Sequence, residues 1–277
     1  MFSCGKSAYN TVADNARVFH TWNSLKEMNY GEPVPPPTNF IPEQGFSPWA
    51  GIVSHHILAH EYIDAWFSCL SKMRNPKRFF ILSPDHFDLS VKQYSLTEGS
   101  WDSGFGIVES DKNKVKELSE LLEVDPDNRV FEIEHGISVL MPYIKRYFPD
   151  SRIVAIIVNG GSAVNTLIAG RLADVLEKEF DEEGKKDNFL IISSDFSHKG
   201  NPEETEKNDL KSEQYLINIE NSAWNSVICD NRSGIYILNR LRKKNAESRI
   251  LYHTNSYKIS GYNEDITSYF FVFFQTK

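Results

Sequence analysis

A mostly parallel α/β sheet with helices on both faces is the architecture the sequence predicts, and three observations predict it. From residue 49 onward, short apolar runs alternate with longer amphipathic stretches in the order β, α, β, α, α, β, α, β. Such alternation builds parallel strands joined by crossover helices. One of the runs, RIVAIIV at Arg152 to Val158, is continuous and rich in β-branched residues, as expected of a central strand covered on both faces. The chain is 277 residues long with 40% hydrophobic and 25% charged side chains. That is enough for one large core, and it excludes collagen-like, low-complexity and wholly disordered chains.

The elements follow in order. Residues 1–48 read as an N-terminal arm, because the proline cluster EPVPPPT at Glu32 to Thr38 cannot continue a helix and has few donors for a sheet. Within the arm a helix is expected from Thr11 to Met28, where Val12, Ala16, Phe19 and Trp22 partly share a face. Residues 49–277 form the α/β domain. Ala50 to Val53 is a short buried strand, and Ile57 to Met73 an amphipathic helix with Leu58, Tyr62, Ala65, Trp66, Cys69 and Leu70 on one side. Arg78 to Leu82 is the second strand; a long irregular segment then runs to Ser110, and Asp111 caps a helix ending near Leu122. Ile137 to Tyr147 is helical in pattern, Arg152 to Val158 a strand, Val164 to Phe180 a helix and Phe189 to Ser193 a strand. Helices near Glu203 to Glu220 and Gly234 to Lys244 come next, then strands at Ile250 to Lys258 and Ser268 to Gln275, the last expected at an edge. No period of 20 to 50 residues recurs, which excludes a repeat protein.

Charge and cysteine usage narrow the function. Thirty basic against 38 acidic side chains give a formal charge of −8. Net repulsion then argues against a nucleic-acid duplex or an anionic membrane as partner. The longest apolar runs, Phe79 to Leu82 and Tyr269 to Phe274, fall far short of the roughly 20 residues that cross a bilayer. The start, MFSCGKSAYN, lacks the apolar core of a signal peptide. Three cysteines, Cys4, Cys69 and Cys229, are an odd number in a chain too long to need stapling, so a reducing, cytoplasmic setting is expected.

The chemistry concentrates where strands end. Ser54-His55-His56, Ser83-Pro84-Asp85-His86 and Ser194-Asp195-Phe196-Ser197-His198 each follow an apolar run directly. The carboxyl ends of parallel strands line the ligand crevice of an open α/β sheet, so His55 or His56, His86 and His198 are expected on one rim. Neutral imidazole is the commonest metal ligand, and two histidines with one anionic group leave coordination positions open for substrate. Asp195 and His198 could instead form a proton-transfer pair, or Asp195 could cap the next helix. Glu134-His135-Gly136 joins a carboxylate to an imidazole at a helix start. Trp101-Asp102-Ser103-Gly104-Phe105-Gly106 offers aromatics that could wall a pocket.

Five stretches in fixed order, GIVSHHILA from Gly51, FFILSPDHF from Phe79, WDSGFGIVESD from Trp101, EHGISVLMPYIKRYFP from Glu134 and IISSDFSHKG from Ile191, carry a resemblance to the Memo family (AmmeMemoRadiSam system protein B-like). The fold of that family resembles the class III extradiol dioxygenases, which implies a single α/β domain from about residue 49. The resemblance makes His55, His86 and Cys229 metal ligands, and it places Asp195 and His198 as catalytic residues, with His198 as acid/base. Ser54 stands where proline is common in the family, and Asp230 follows Cys229 where glycine is usual. The implied cofactor is iron or copper, with zinc as a further candidate, and the implied chemistry is redox or oxygen-dependent on a small-molecule or peptide ligand. Relatives in many prokaryotes accompany a radical-SAM protein and an AMMECR-type protein, which implies such partners.

A thiolate ligand is softer than the carboxylate of the two-histidine, one-carboxylate iron site and favours Cu(I), Zn or a differently tuned iron. Two alternatives follow. In one, an extradiol-type enzyme acts on an aromatic diol, with a carboxylate such as Asp85 or Glu134 completing the metal site. In the other, a catalytically silent module binds a peptide or partner side chain between Trp101 and Phe105.

Overall fold

Strand parity divides the interior into two cores, one on each face of a single sheet. The structure, a computed structural model, describes residues 17–20, 45–158, 163–218, 223–242 and 246–276. Its strands are β1 (Val18–His20), β2 (Ala50–Val53), β3 (Arg78–Pro84), β4 (Tyr94–Leu96), β5 (Ser100–Asp102), β6 (Ile107–Val108), β7 (Arg152–Val158), β8 (Asn188–Ser193), β9 (Ala246–Asn255) and β10 (Ser268–Thr276). Seven of them form the main sheet in the order β4-β7-β3-β8-β2-β10-β9. The four central strands β7, β3, β8 and β2 are parallel; β4 on one side and β10 and β9 on the other add antiparallel.

Because successive side chains of a strand point to opposite faces, Phe79, Ile81, Ile153, Phe189, Ile191 and Phe271 enter one core with Trp66 and Phe67 of the helix His60–Met73. Phe80, Leu82, Val154, Ile156, Leu190 and Ile192 enter the other, under the helices Lys112–Leu122, Thr166–Leu176, Pro202–Ile217 and Arg232–Leu241. The expected α/β sheet with helices on both faces is therefore the observed one. Gly51 lets Trp66 lie against β2: a Cβ there would stand 2.4 Å from the indole and 2.7 Å from the carbonyl oxygen of Val272.

Several expectations change in detail. Of the helix expected over Thr11 to Met28, only residues 17–20 are described, and Val18–His20 is a strand paired in parallel with β5, where Phe19 packs on Trp101 at 4.8 Å between ring centroids. The proline cluster at Glu32 to Thr38, like most of the expected arm, lies outside the described residues. The irregular segment before Ser110 contains β4, β5 and β6, and the last two join β1 in a three-stranded sheet. The helix expected over Ile137 to Tyr147 is two, His135–Ser138 and Met141–Tyr147. Pro142 sits in the first turn of the second, where its missing N–H costs nothing. Asp111 caps the helix Lys112–Leu122 as expected, its carboxylate accepting from the Lys114 N–H at 3.1 Å. Strand β9 ends at Asn255, and Ser256–Ser260 is a helix capped by that asparagine.

The last strand is not at an edge: β10 lies between β2 and β9, and its apolar residues Tyr269 to Phe274 alternate between the two cores, which only a strand covered on both faces can do. The edge on that side is β9. Trp101 is fully buried between Phe19 and Phe131, so its ring walls no pocket. Among the described residues no helix is long and apolar enough to cross a membrane.

Candidate metal centre

Strands β3, β8 and β2 are neighbours and parallel, so their carboxyl ends open side by side. His55 follows β2, His86 follows β3, and Ser193 ends β8, with Ser194 and Asp195 directly after it. The convergence expected from the sequence is met: the His55 and His86 rings are 4.7 Å apart, edge to face. His56, its neighbour in the pair, turns to Tyr269 instead, with Nδ1 2.5 Å from the phenol oxygen.

Hydrogen bonds fix which nitrogen of each ring faces the pocket. Ser193 has one hydroxyl proton and gives it to the Gly136 carbonyl at 2.6 Å. The contact from His55 Nδ1 to Ser193 Oγ, 2.9 Å, must therefore carry a proton on Nδ1. A carboxylate only accepts, so His86 Nδ1, 2.7 Å from Glu134 Oε1, is protonated as well. In both neutral rings the lone pair is then on Nε2, which points into the cluster. A ring N–H held by a carboxylate or hydroxyl is the usual support behind a metal-bound histidine. Glu134 is itself held: its carboxylate also accepts from the His86 and Gly136 N–H groups. Gly136 is required there because a Cβ would lie 2.1 Å from Ser83 Oγ.

The residue that the sequence reading missed is Asp230. Its Oδ1 accepts from Ser194 Oγ at 2.8 Å and from the Asp195 N–H at 3.1 Å. Its Oδ2 is buried and has no hydrogen-bond partner. Around that oxygen stand three imidazole nitrogens: His55 Nε2 at 3.2 Å, His198 Nε2 at 3.5 Å and His86 Nε2 at 3.6 Å. The loop is placed by Asn231, whose side chain donates to the carbonyls of Leu82 and Ser193, at the ends of β3 and β8, and accepts from the Gly234 N–H. A β-bridge between Phe196 and Cys229 and the bond from the Asp230 N–H to the Asp195 carbonyl complete the attachment.

Among the described residues two groups bring ligand atoms within 4.8 Å of one another: His55, His86 and His135, and His55, Asp195 and Asp230. His135, whose ring is 4.0 Å from that of His86, thus joins the cluster. Cys229 belongs to neither group; its side chain packs against the core beneath the helix Arg232–Leu241, and burial, with Asp230 beside it, pushes its thiol up to about 12. Asp195 does not cap a helix: Oδ1 accepts from Ser54 Oγ at 2.5 Å, and Oδ2 lies 3.7 Å from His55 Nε2. His198 stands at the mouth, its side chain 42% exposed. The two carboxylates considered from sequence serve elsewhere. Asp85 accepts from the Leu89 and Ser90 N–H groups of its own loop, and Glu134 supports His86 from behind.

The charges in the cluster balance against its burial. Burial alone would lower His55 and His86, but Asp195 and Asp230 raise the first, and Asp230 and Glu134 push the second up to about 10. Burial would raise Asp230, yet His55, His198 and His86 hold it well below the usual carboxylate range. Burial and the neighbouring His55 and His86 bring His135 down to about 3. Buried lone pairs and carboxylate oxygens facing one another need a cation between them, whether proton or metal. The donor set and the unpartnered Asp230 Oδ2 fit a metal ion.

The family model for Memo-like proteins matches residues 36–272. A MEMO1 family protein of Caldivirga maquilingensis is 27% identical over 241 residues, covering 80% of this chain and 79% of its own length. A second, from Pyrobaculum aerophilum, is 25% identical over 245 residues, covering 84% and 86%. In fold alone, the chain is similar to an uncharacterized protein, JW3007, from Escherichia coli K12, with a TM-score of 0.52 and 11% identity over 80% of this chain and 98% of that one. With the family model spanning most of its length, the chain belongs to the Memo family.

Proposed function

We propose that this protein holds one transition-metal ion, iron or copper, at His55 and His86, and uses it for oxygen-dependent redox chemistry on a small-molecule ligand in a cytoplasmic setting. The observation that carries the reading is the pair of Nε2 lone pairs, each fixed by a proton committed on the other side of the ring, aimed into one buried cluster. When bound, such an ion supplies Lewis-acid and one-electron chemistry. Ligand enters past His198 and the exposed ring of Phe87, which lies 5.9 Å from His135. His198, open to solvent on one side and 3.5 Å from Asp230 on the other, accepts or returns a proton at Nε2. Asp195, buried and anchored by Ser54 through one oxygen, turns the other toward His55.

Elemental analysis of protein purified anaerobically from metal-replete cells tests this. Near-stoichiometric iron or copper in the wild type, and its loss in His55→Ala and His86→Ala, are expected. With metal retained, His198→Ala should abolish oxygen uptake in the presence of a reducing substrate. A panel of catechols is the first to try, because an aromatic diol is a small molecule that readily gives up electrons to oxygen. Equal metal content in the wild type and both histidine variants would refute the reading.

A further inference from the structure

We propose that the third protein ligand is the carboxylate of Asp230, not the thiol of Cys229, so that the ion sits between His55 Nε2, His86 Nε2 and Asp230 Oδ2. This rests on the reading that the cluster binds metal, and it specifies what kind.

Orientation is the first argument. Ser194 and the Asp195 N–H occupy Oδ1, which turns Oδ2 inward with no hydrogen-bond donor of its own. A buried acceptor in that state destabilises the fold unless something positive meets it. The groups nearest to it are the Nε2 atoms of His55, His198 and His86, and in His55 and His86 the other ring nitrogen is held by Ser193 and Glu134, which leaves Nε2 free to share a cation with Oδ2.

Spacing is the second. Nitrogen and oxygen ligands sit about 2.0–2.2 Å from zinc-sized ions, so two that share an ion with tetrahedral angles lie about 3.3–3.6 Å apart. Asp230 Oδ2 is 3.2 Å from His55 Nε2 and 3.6 Å from His86 Nε2. The carboxylate already stands where a ligand would. Cys229, one residue earlier, packs against the core with its thiol turned to Ser194 and joins no ligand group, whereas Asp230 shares one with His55 and Asp195.

The consequence is selectivity. Two imidazoles and a carboxylate with open positions suit ferrous iron, whereas a thiolate would draw Cu(I). The structure thus assigns this chain a harder site than a histidine–histidine–cysteine set.

The test uses the full chain, loaded with Fe(II) or Co(II) under anaerobic conditions. Wild type and Cys229→Ser should bind one equivalent with equal affinity, and the Co(II) form of the wild type should lack the intense near-ultraviolet sulfur-to-cobalt band. Asp230→Asn, nearly the same shape, should weaken Fe(II) binding by more than the roughly 10–100-fold typical of losing a supporting hydrogen bond. A thiolate band in the wild type, or metal lost in Cys229→Ser and kept in Asp230→Asn, overturns the assignment. The cobalt spectrum needs no variant, so a folding defect in Asp230→Asn leaves the proposal exposed to refutation. His55→Ala separates the two levels: if it binds metal as tightly as wild type, the underlying metal reading fails, whereas its loss of metal beside an unaffected Asp230→Asn sinks only the ligand assignment.

Discussion

Glu134 shows how much of the centre is set by single side chains that never face the pocket. It holds His86 by ring and backbone at once, and Gly136 by its N–H. Glu134→Gln keeps the shape but offers one neutral oxygen where a carboxylate held the imidazole proton. Basicity at His86 Nε2 should fall, and Fe(II) affinity with it, by about 10–100-fold. Chelator competition measures this, and an unchanged affinity would mean that His86 is not a ligand. His55, His86, Asp195 and His198 were legible in the sequence because each follows a recognisable apolar run. Asp230 was not, because its orientation comes from Ser194 and the Asp195 N–H, 36 and 35 residues upstream, and from an asparagine whose partners end two other strands. The visible signal was only an acid where the family usually has glycine.

At the scale of elements, periodicity located the strands that the helices cover and failed where pairing partners decide. Arg152 to Val158 could be read as central from its own residues. Whether β10 lies inside or at the edge depends on β9 pairing with it, and β9, half-buried along its length, carries no strong signal. Strand β1 exists because β5 offers it an edge, against a helical pattern in its own residues. The helix Lys112–Leu122 was legible through its cap, and that cap has a second role. Asp111 also receives the Arg78 guanidinium, at 2.7 Å from Nε and 2.6 Å from Nη2, joining the helix to β3. Burial would raise its carboxyl, but Arg78 and the Lys114 N–H hold it below the usual value. A carboxyl depressed on folding stabilises the fold fully above its ordinary pKa of about 4 and loses that contribution as pH falls through the depressed value. Asn caps helices as well as Asp does. Asp111→Asn therefore isolates the ion pair: the variant should be about 1.5–3 kcal/mol less stable in urea at pH 7. The two proteins should converge as the pH drops below about 4. A difference that persists undiminished at pH 2 would assign the loss to packing.

Across the whole molecule, one sheet carries both cores, and the histidine–carboxylate cluster sits at the ends of three of its central strands. Its side chains come from segments as far apart in sequence as residues 55 and 230, so the cluster exists only when β2, β3, β8 and the loop before the helix Arg232–Leu241 are assembled. An unfolded chain offers the same side chains without the geometry. An ion that binds the folded state alone must then stabilise the entire sheet, by about 2.7 kcal/mol at a free concentration one hundred times Kd. A domain of 150–250 residues shifts its midpoint by about 2–4 °C per kcal/mol, so removing the ion should lower Tm by roughly 5–10 °C. Thermal melts of Fe(II)-loaded protein with and without chelator measure the shift, and His55→Ala supplies the control. In that variant the two curves should coincide, because His55 belongs to both ligand groups and no complete set remains without it. A chelator effect of equal size in His55→Ala would place the stabilising ion elsewhere on the molecule.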